Sequence, residues 1–243
     1  MPVETDGRLA RLTARAVGRA AALSAYAGPD ALAGFCYRAG ATAAHPRTDA
    51  RWARVLVDRA TRSHRTALAA YRRSRTEHWD GWTAHDADPA VLVHKVYVSP
   101  TTPAVPVALE RVVAVATFLG VPSWKVGADT AGLHRADKVV LYLPSAQRAD
   151  AVAQALADEL ADLPAQGVLF SGQVGRSGIV SRGQDHDGQS WRAMVCRAVA
   201  LALADARAAD QSATSQRVAA DALSSLAADL DVVTWYPGAR VVA

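Results

Sequence analysis

Apolar positions recur at helical spacing through the first half of the chain and at mixed spacings through the second. Leu9, Leu12, Ala16, Ala20 and Leu23 share one face of an amphipathic helix expected from about Arg8 to Tyr26. Breaks are expected at Gly28-Pro29 and around His45-Pro46. Asp49 is placed to cap a long helix from about Ala50 to Arg75, with Trp52, Val55, Leu56, Leu68 and Tyr71 as core positions. Trp79-Asp80-Gly81-Trp82 interrupts that pattern, and its tryptophans are expected to pin a turn onto the core.

From Val91 the pattern changes. Val91 to Val98 reads as a strand, and Pro100, Pro103 and Pro106 lead into a helix over Val107 to Leu119 that stops at Gly120. Ser123 to Val126 and Lys138 to Leu143 read as further strands, and Ala146 to Leu163 as an alanine-rich helix. A short strand is expected at Val168 to Phe170, a long polar loop from Gly172 to Gln189, helices from Ser190 to Arg207 and Thr214 to Leu230, and a terminal strand at Val232 to Tyr236. The sum is an α+β chain, with a helical N-terminal half followed by a mixed, mainly antiparallel sheet with flanking helices. Residues 1–78 form the helical part and 79–243 the α+β part of what is expected to be one compact unit.

Composition narrows the possibilities only a little. The 243 residues are ample for a core. The net charge of +4 suits an anionic partner without identifying one. There is no RNA-binding aromatic motif, zinc finger or basic helix, so nucleic acid is disfavoured. Cys36 and Cys196 make neither a metal spacing nor a disulfide framework. Arg11, Arg15 and Arg19 interrupt the alanine-rich N-terminal stretch, which therefore lacks the apolar run of a signal peptide. No segment is long and apolar enough to span a membrane, and a cytoplasmic location is the resulting expectation.

Candidate chemistry gathers on lysines set in apolar strands, where lysine is disfavoured. Lys125 stands between Trp124 and Val126. It admits two readings: a solvated lysine on an edge strand, or a base whose neutral form is favoured by burial or nearby cations. In His94-Lys95-Val96-Tyr97, Lys95 and Tyr97 point to one face of the strand and His94 and Val96 to the other. Lys95 and Tyr97 are suited to hold a phosphate and donate a proton; an exposed lysine beside a core tyrosine is the plain alternative. Arg135, Lys138, Arg176, Arg182 and Arg192 are candidates for a phosphate clamp, or surface cations taken singly. Gly175 and Gly178 do not make a P-loop, and Asp185-His186-Asp187 reads as a solvated triplet rather than a metal site. No Ser-His-Asp pattern or nucleophile elbow is present.

Taken in order, Lys-Val-Tyr-Val-Ser (95–99), Val-Pro-Ser-Trp-Lys-Val (121–126), His-Arg-Ala-Asp-Lys-Val-Val-Leu-Tyr-Leu (134–143), Gly-Val-Leu-Phe-Ser-Gly (167–172) and Gln-Ser-Trp-Arg-Ala-Met-Val-Cys-Arg (189–197) resemble the HopA-type effector-like proteins. Those occur as stand-alone lyases in ribosomal peptide natural-product pathways, including class V lanthipeptides and thioamitides. More distantly, the pattern is similar to the lyase domains of class III and IV lanthipeptide synthetases and to OspF-type phosphothreonine lyases. The similarity spans roughly Trp79 to Ala206, and its weight lies in the order of the segments.

The resemblance implies that a partner Ser/Thr kinase phosphorylates a leader-bearing precursor peptide and that this chain removes the phosphate by β-elimination, giving dehydroalanine or dehydrobutyrine without metal or organic cofactor. It puts Lys125 at the base position and Lys95 where a lysine helps hold phosphate. It puts Arg135, Lys138 and Arg192 at cationic positions and Tyr142 at a packing aromatic. One departure stands out. The OspF-type pattern is Lys-x-His with histidine as general acid, and here it reads Lys95-Val96-Tyr97. Four possibilities follow: Tyr97 donates, His94 or His134 reaches in, the clamp alone stabilises the leaving phosphate, or activity is lost. The alternative function is a non-catalytic phosphopeptide- or leader-binding partner of a kinase or cyclase. A zinc-dependent cyclase is disfavoured by the cysteines.

Overall fold

The computed structural model describes residues 7–42 and 50–235; the expected break at His45-Pro46, the Asp49 cap and Tyr236 lie outside them. The chain divides into two units, one of residues 1–39, 169–173 and 183–243, the other of 40–168 and 174–182.

The first unit is built from α1 (Arg8–Leu23), α2 (Pro29–Arg38), α8 (Trp191–Ala209) and α9 (Ser215–Leu226). Pro29, read from sequence as a break, is the first residue of α2, where its missing N–H costs nothing. Val17, Leu32, Cys36, Phe170, Trp191, Val195, Cys196, Val199 and Leu203 form the core. Both cysteines are free and buried, and burial pushes the Cys36 thiol up to about 11 and that of Cys196 to about 12, so neither is a ready nucleophile. The strands expected at Val168–Phe170 and Val232–Tyr236 are absent among the described residues. Phe170 has φ +59° and packs edge-to-face on Trp235 at 5.2 Å. The Asp231 carboxylate accepts from the Val233 and Thr234 N–H groups, folding that stretch into a turn.

The second unit carries α3 (Ala50–Arg62), α4 (Arg65–Leu68), β1 (Tyr71–Arg75), β2 (Trp79–Ala84), β3 (His94–Val98), α5 (Val105–Phe118), β4 (Ser123–Gly127), α6 (Thr130–His134), β5 (Val139–Leu143) and α7 (Ala146–Glu159). The division between units falls within β6 (Gly172–Val174) and β7 (Val180–Gln184). The sheet order is β1-β2-β4-β5-β3-β7-β6, with β1–β2, β2–β4, β4–β5 and β3–β5 antiparallel. The α+β expectation is met.

Three expectations on this part of the chain are corrected. Trp79-Asp80-Gly81-Trp82, expected as a turn, is the first part of strand β2. The long helix to Arg75 ends at Arg62, and Tyr71–Arg75 is an edge strand. The reason is ionic. Asp80 is fully buried, and Arg73 and Arg75 both reach its carboxylate, at 2.6 and 2.9 Å. Residues two apart share a side in a strand and are turned apart in a helix, so only the strand delivers both. Burial pushes the Asp80 carboxyl up, but the two guanidiniums outweigh it and hold it below the usual carboxylate range. The long loop at Gly172–Gln189 contains the hairpin β6–β7, and the glycines that suggested a loop, Gly175 and Gly178, supply positive φ between its strands.

The faces of the sheet are chemically distinct. Trp82, Trp124, Val126, Val96, Val98, Leu141 and Leu143 join α5 and α7 in the core, with the Trp82 and Trp124 rings stacked at 4.1 Å. The opposite face carries the site. Among the described residues no helix is long and apolar enough to cross a membrane.

Candidate active site

Strand register defines the site face. One row across the sheet reads Arg72–Thr83–Ser123–Tyr142–Lys95, each residue paired with the next on the neighbouring strand. The row beside it reads Ser74–Gly81–Lys125–Val140–Tyr97. Lys125 therefore stands on an internal strand, not on the edge that its solvated reading supposed.

The side chains on these rows form a chain of alternating cations and rings. Lys125 Nζ lies 4.3 Å from the Trp79 ring centre and 5.5 Å from that of Tyr142. Lys95 Nζ lies 5.3 Å from the same Tyr142 ring. The Arg135 guanidinium lies 5.3 Å from the Trp79 ring. Two lysines thus share one tyrosine, and a lysine and an arginine share one tryptophan, each within cation–π range. Lys125, Trp79 and Tyr142 are half-buried, and Lys95 is 7% exposed. Three partly or fully buried cations are thereby gathered around two aromatic rings on one face of the sheet.

Arg135 comes to Trp79 from α6, a short helix that sequence reading missed. Asp129 caps it through Gly132 N–H at 2.6 Å. A Cβ on Gly127 would lie 2.4 Å from the Gly132 carbonyl carbon, so β4 and α6 meet backbone to backbone. Gly127→Ala is expected to cost about 2–3 kcal/mol of stability through this clash; an unchanged denaturation midpoint would contradict the contact. Arg135 is then oriented by the Asp137 carboxylate, which accepts from Nε at 2.9 Å and Nη2 at 3.1 Å.

His78, next to Trp79, also holds α6: its Nδ1 is 2.7 Å from Asp129 Oδ2. That hydrogen bond, helped by the carboxylate's charge, raises the imidazole above 6.5. A raised pKa means that the stabilisation is full below the unfolded value and lost as pH rises through the folded one. An NMR titration is expected to show His78 titrating above 6.5 and returning towards it in Asp129→Ala; no change on that substitution would refute the pairing.

The other expected site residues have different surroundings. Tyr97 shares the Lys95 face but is 2% exposed, packed with Ala136, Val140 and Val168. His94 lies on the opposite face, as alternation predicts, and burial lowers its pKa. His134 is buried, its Nδ1 2.9 Å from Thr42 Oγ1. Lys138 is 0% exposed, and its ammonium donates to Pro100 O at 2.9 Å and Gln166 Oε1 at 2.8 Å. It acts as an internal tie. Gln166 Nε2 donates onward to Gly40 O at 2.6 Å and to His134 O at 3.4 Å, bracing the turn before Arg135. Arg182 pairs with Asp150, and Arg176 is exposed in the β6–β7 turn. Arg192 belongs to the helical unit, where it is 1% exposed and donates to Leu169 O and Tyr37 O. Asp185 accepts from Trp191 N–H. Among the described residues no group of His, Cys, Asp and Glu is arranged to hold a metal ion. Trp79 is the site residue that sequence reading assigned only to structure. Its alternation with core-facing Trp82 was the available signal.

No protein-family model and no curated protein sequence matches this chain. Solved structures do. An effector protein from Pseudomonas syringae pv. tomato strain DC3000 is 12% identical and superposes with a TM-score of 0.60, over 94% of this chain and 98% of that one. An effector protein from Pseudomonas syringae pv. syringae strain 61 is 14% identical, with a TM-score of 0.54 over 96% and 100%. The type III effector and phosphothreonine lyase OspF from Shigella flexneri is 10% identical, with a TM-score of 0.40 over 46% and 69%. The two Pseudomonas proteins share this fold along nearly their whole length.

Proposed function

We propose that this chain is a phosphothreonine/phosphoserine lyase acting on a phosphorylated precursor peptide. The observation that carries the reading is the placement of Lys125 and Lys95 on either side of Tyr142, with Arg135 across Trp79 from Lys125. β-Elimination from a phosphoamino acid needs a base for the α-proton, a proton for the leaving oxygen and cations around the phosphate. Lys125, as the neutral amine, takes the Cα proton. The electron pair of that C–H bond forms the Cα=Cβ double bond, and the Cβ–O bond breaks. Lys95 and Arg135 hold the phosphate, and the Lys95 ammonium gives the proton with which it leaves as hydrogen phosphate. The products are dehydrobutyrine or dehydroalanine and inorganic phosphate. The source of the phosphopeptide is a partner kinase.

A second reading has one observation in its favour. Tyr97 occupies the histidine position of the OspF-type pattern and packs among apolar side chains. If elimination requires a histidine acid at that position, this chain binds a phosphopeptide and does not turn it over. Mass spectrometry of a phosphothreonine peptide incubated with the protein separates the two. Loss of the elements of phosphoric acid supports the lyase; binding with no mass change, with a kinase also present, supports the binding partner.

A further inference from the structure

Beyond the ring of Tyr142, the row on the site face continues outward to the edge of the sheet and stays polar all the way. Ser123 and Thr83 follow, their hydroxyls 3.1 Å apart, and then Arg72 on the edge strand β1. Ser123, Thr83 and Tyr142 are half-buried and Arg72 is exposed; in the neighbouring row Gly81 and Val140 are buried, Lys125 is half-buried and Ser74 is exposed. The Arg72 row thus carries the accessible surface around Lys125 and Tyr142 outward, as an unbroken polar strip, to the edge of the sheet. Arg72 also differs from its neighbours on β1. Arg73 and Arg75 point to the other face and are both taken up by Asp58 and Asp80. Arg72 points to the Lys125 face.

We infer that this row is the track of the substrate peptide and that Arg72 selects an acidic residue in it. The inference rests on the phosphopeptide reading of the site. Its reach follows from sheet geometry. Tyr142 and Arg72 are three interstrand steps apart, about 14 Å at about 4.8 Å per step. An extended peptide advances about 3.4 Å per residue. A chain whose phosphorylated residue sits at Lys125 and Lys95 and which runs outward along the row brings to Arg72 a side chain about four positions away. The Thr83 and Ser123 hydroxyls, bonded to each other, keep capacity for the peptide groups that pass over them. The carboxylate of Glu or Asp is the partner that a guanidinium fork takes in two hydrogen bonds. Arg72 is a specificity residue and takes no part in the bond changes.

The test is a set of fluorescent phosphothreonine peptides, alanine-based, with one Glu walked from five positions before to five positions after the phosphothreonine. Affinity is read by anisotropy, with each peptide's mass followed in the same samples. The expected result is about a fivefold gain in affinity for Glu three to five positions away on one side only, the range of a partly exposed ion pair. Arg72→Glu, checked for folding by circular dichroism, is expected to reverse the preference in favour of Lys at that position. A profile flat to within twofold, or one that survives Arg72→Glu, overturns the inference and leaves Arg72 as an edge-guarding charge. The mass readout is separate: intact phosphate with a position-dependent affinity defeats the lyase reading and upholds the track.

Discussion

Lys125→Ala is expected to slow elimination from a phosphothreonine peptide by about a thousandfold or more, within the range for removing a general base. Affinity for the peptide should change only a few-fold, because Lys95 and Arg135, the phosphate ligands of the proposed mechanism, remain beside the Tyr142 and Trp79 rings. The loss should therefore fall on kcat, as it does when an interaction made only in the transition state is removed. Lys125→Arg discriminates further. It preserves a cation between the two rings, but a guanidinium does not give up its proton and so cannot serve as the base. The arginine variant should bind as well as the parent and remain inactive. Turnover by Lys125→Ala within tenfold of the parent would remove Lys125 from the mechanism. Activity in Lys125→Arg would show that the position supplies only charge.

The second large effect concerns stability. Burial pushes the Lys138 amine from 10.5 down to about 7, against the upward pull of Asp137. Between those values the unfolded chain carries the proton and the folded chain does not, so folding becomes more favourable as pH rises. Below about 7 both states are protonated and the full cost of burying the ammonium is present. The whole swing is about 5 kcal/mol as an upper bound, at about 1.4 kcal/mol per unit. Denaturant unfolding at pH 7 and pH 9 should show the parent gaining about 2–3 kcal/mol more than Lys138→Met over that interval. Parallel pH profiles for the two proteins would mean that Lys138 does not titrate in this window. The methionine keeps the packing volume but leaves Pro100 O and Gln166 Oε1 without their shared donor, so the support of the turn before Arg135 loosens as well.

Several elements were legible because their signals are local. α1, α5, α7, α8 and α9 follow apolar spacing, and the strands at His94, Ser123 and Val139 follow short, largely apolar stretches. The alternation in His94-Lys95-Val96-Tyr97 correctly separated His94 from Lys95. The ordered segments pointed to effector-like proteins, and the structure has the fold of two Pseudomonas effectors. The β1–β2 hairpin was not legible. Tyr-Arg-Arg-Ser-Arg carries no apolar period, and what makes it a strand is Asp80 on the next strand together with the backbone pairing to β2. The hairpin β6–β7 was hidden in the same way, since its glycines and polar residues suit a loop equally well.

Within the site the same division holds. Sequence alone determined which residues have unusual chemistry for their setting: lysines at 95, 125 and 138 in or beside apolar strands, and an arginine at 135 between the last two of them. Tertiary structure decided which of them face one another. Lys95, Lys125 and Lys138 look alike in sequence. Strand register puts the first two on either side of Tyr142, whereas backbone carbonyl and amide acceptors draw Lys138 inside. Residue type and spacing are properties of neighbours along the chain. Register, burial and the choice of hydrogen-bond partner arise only when distant strands pair, and those are what turn a set of cations into a site.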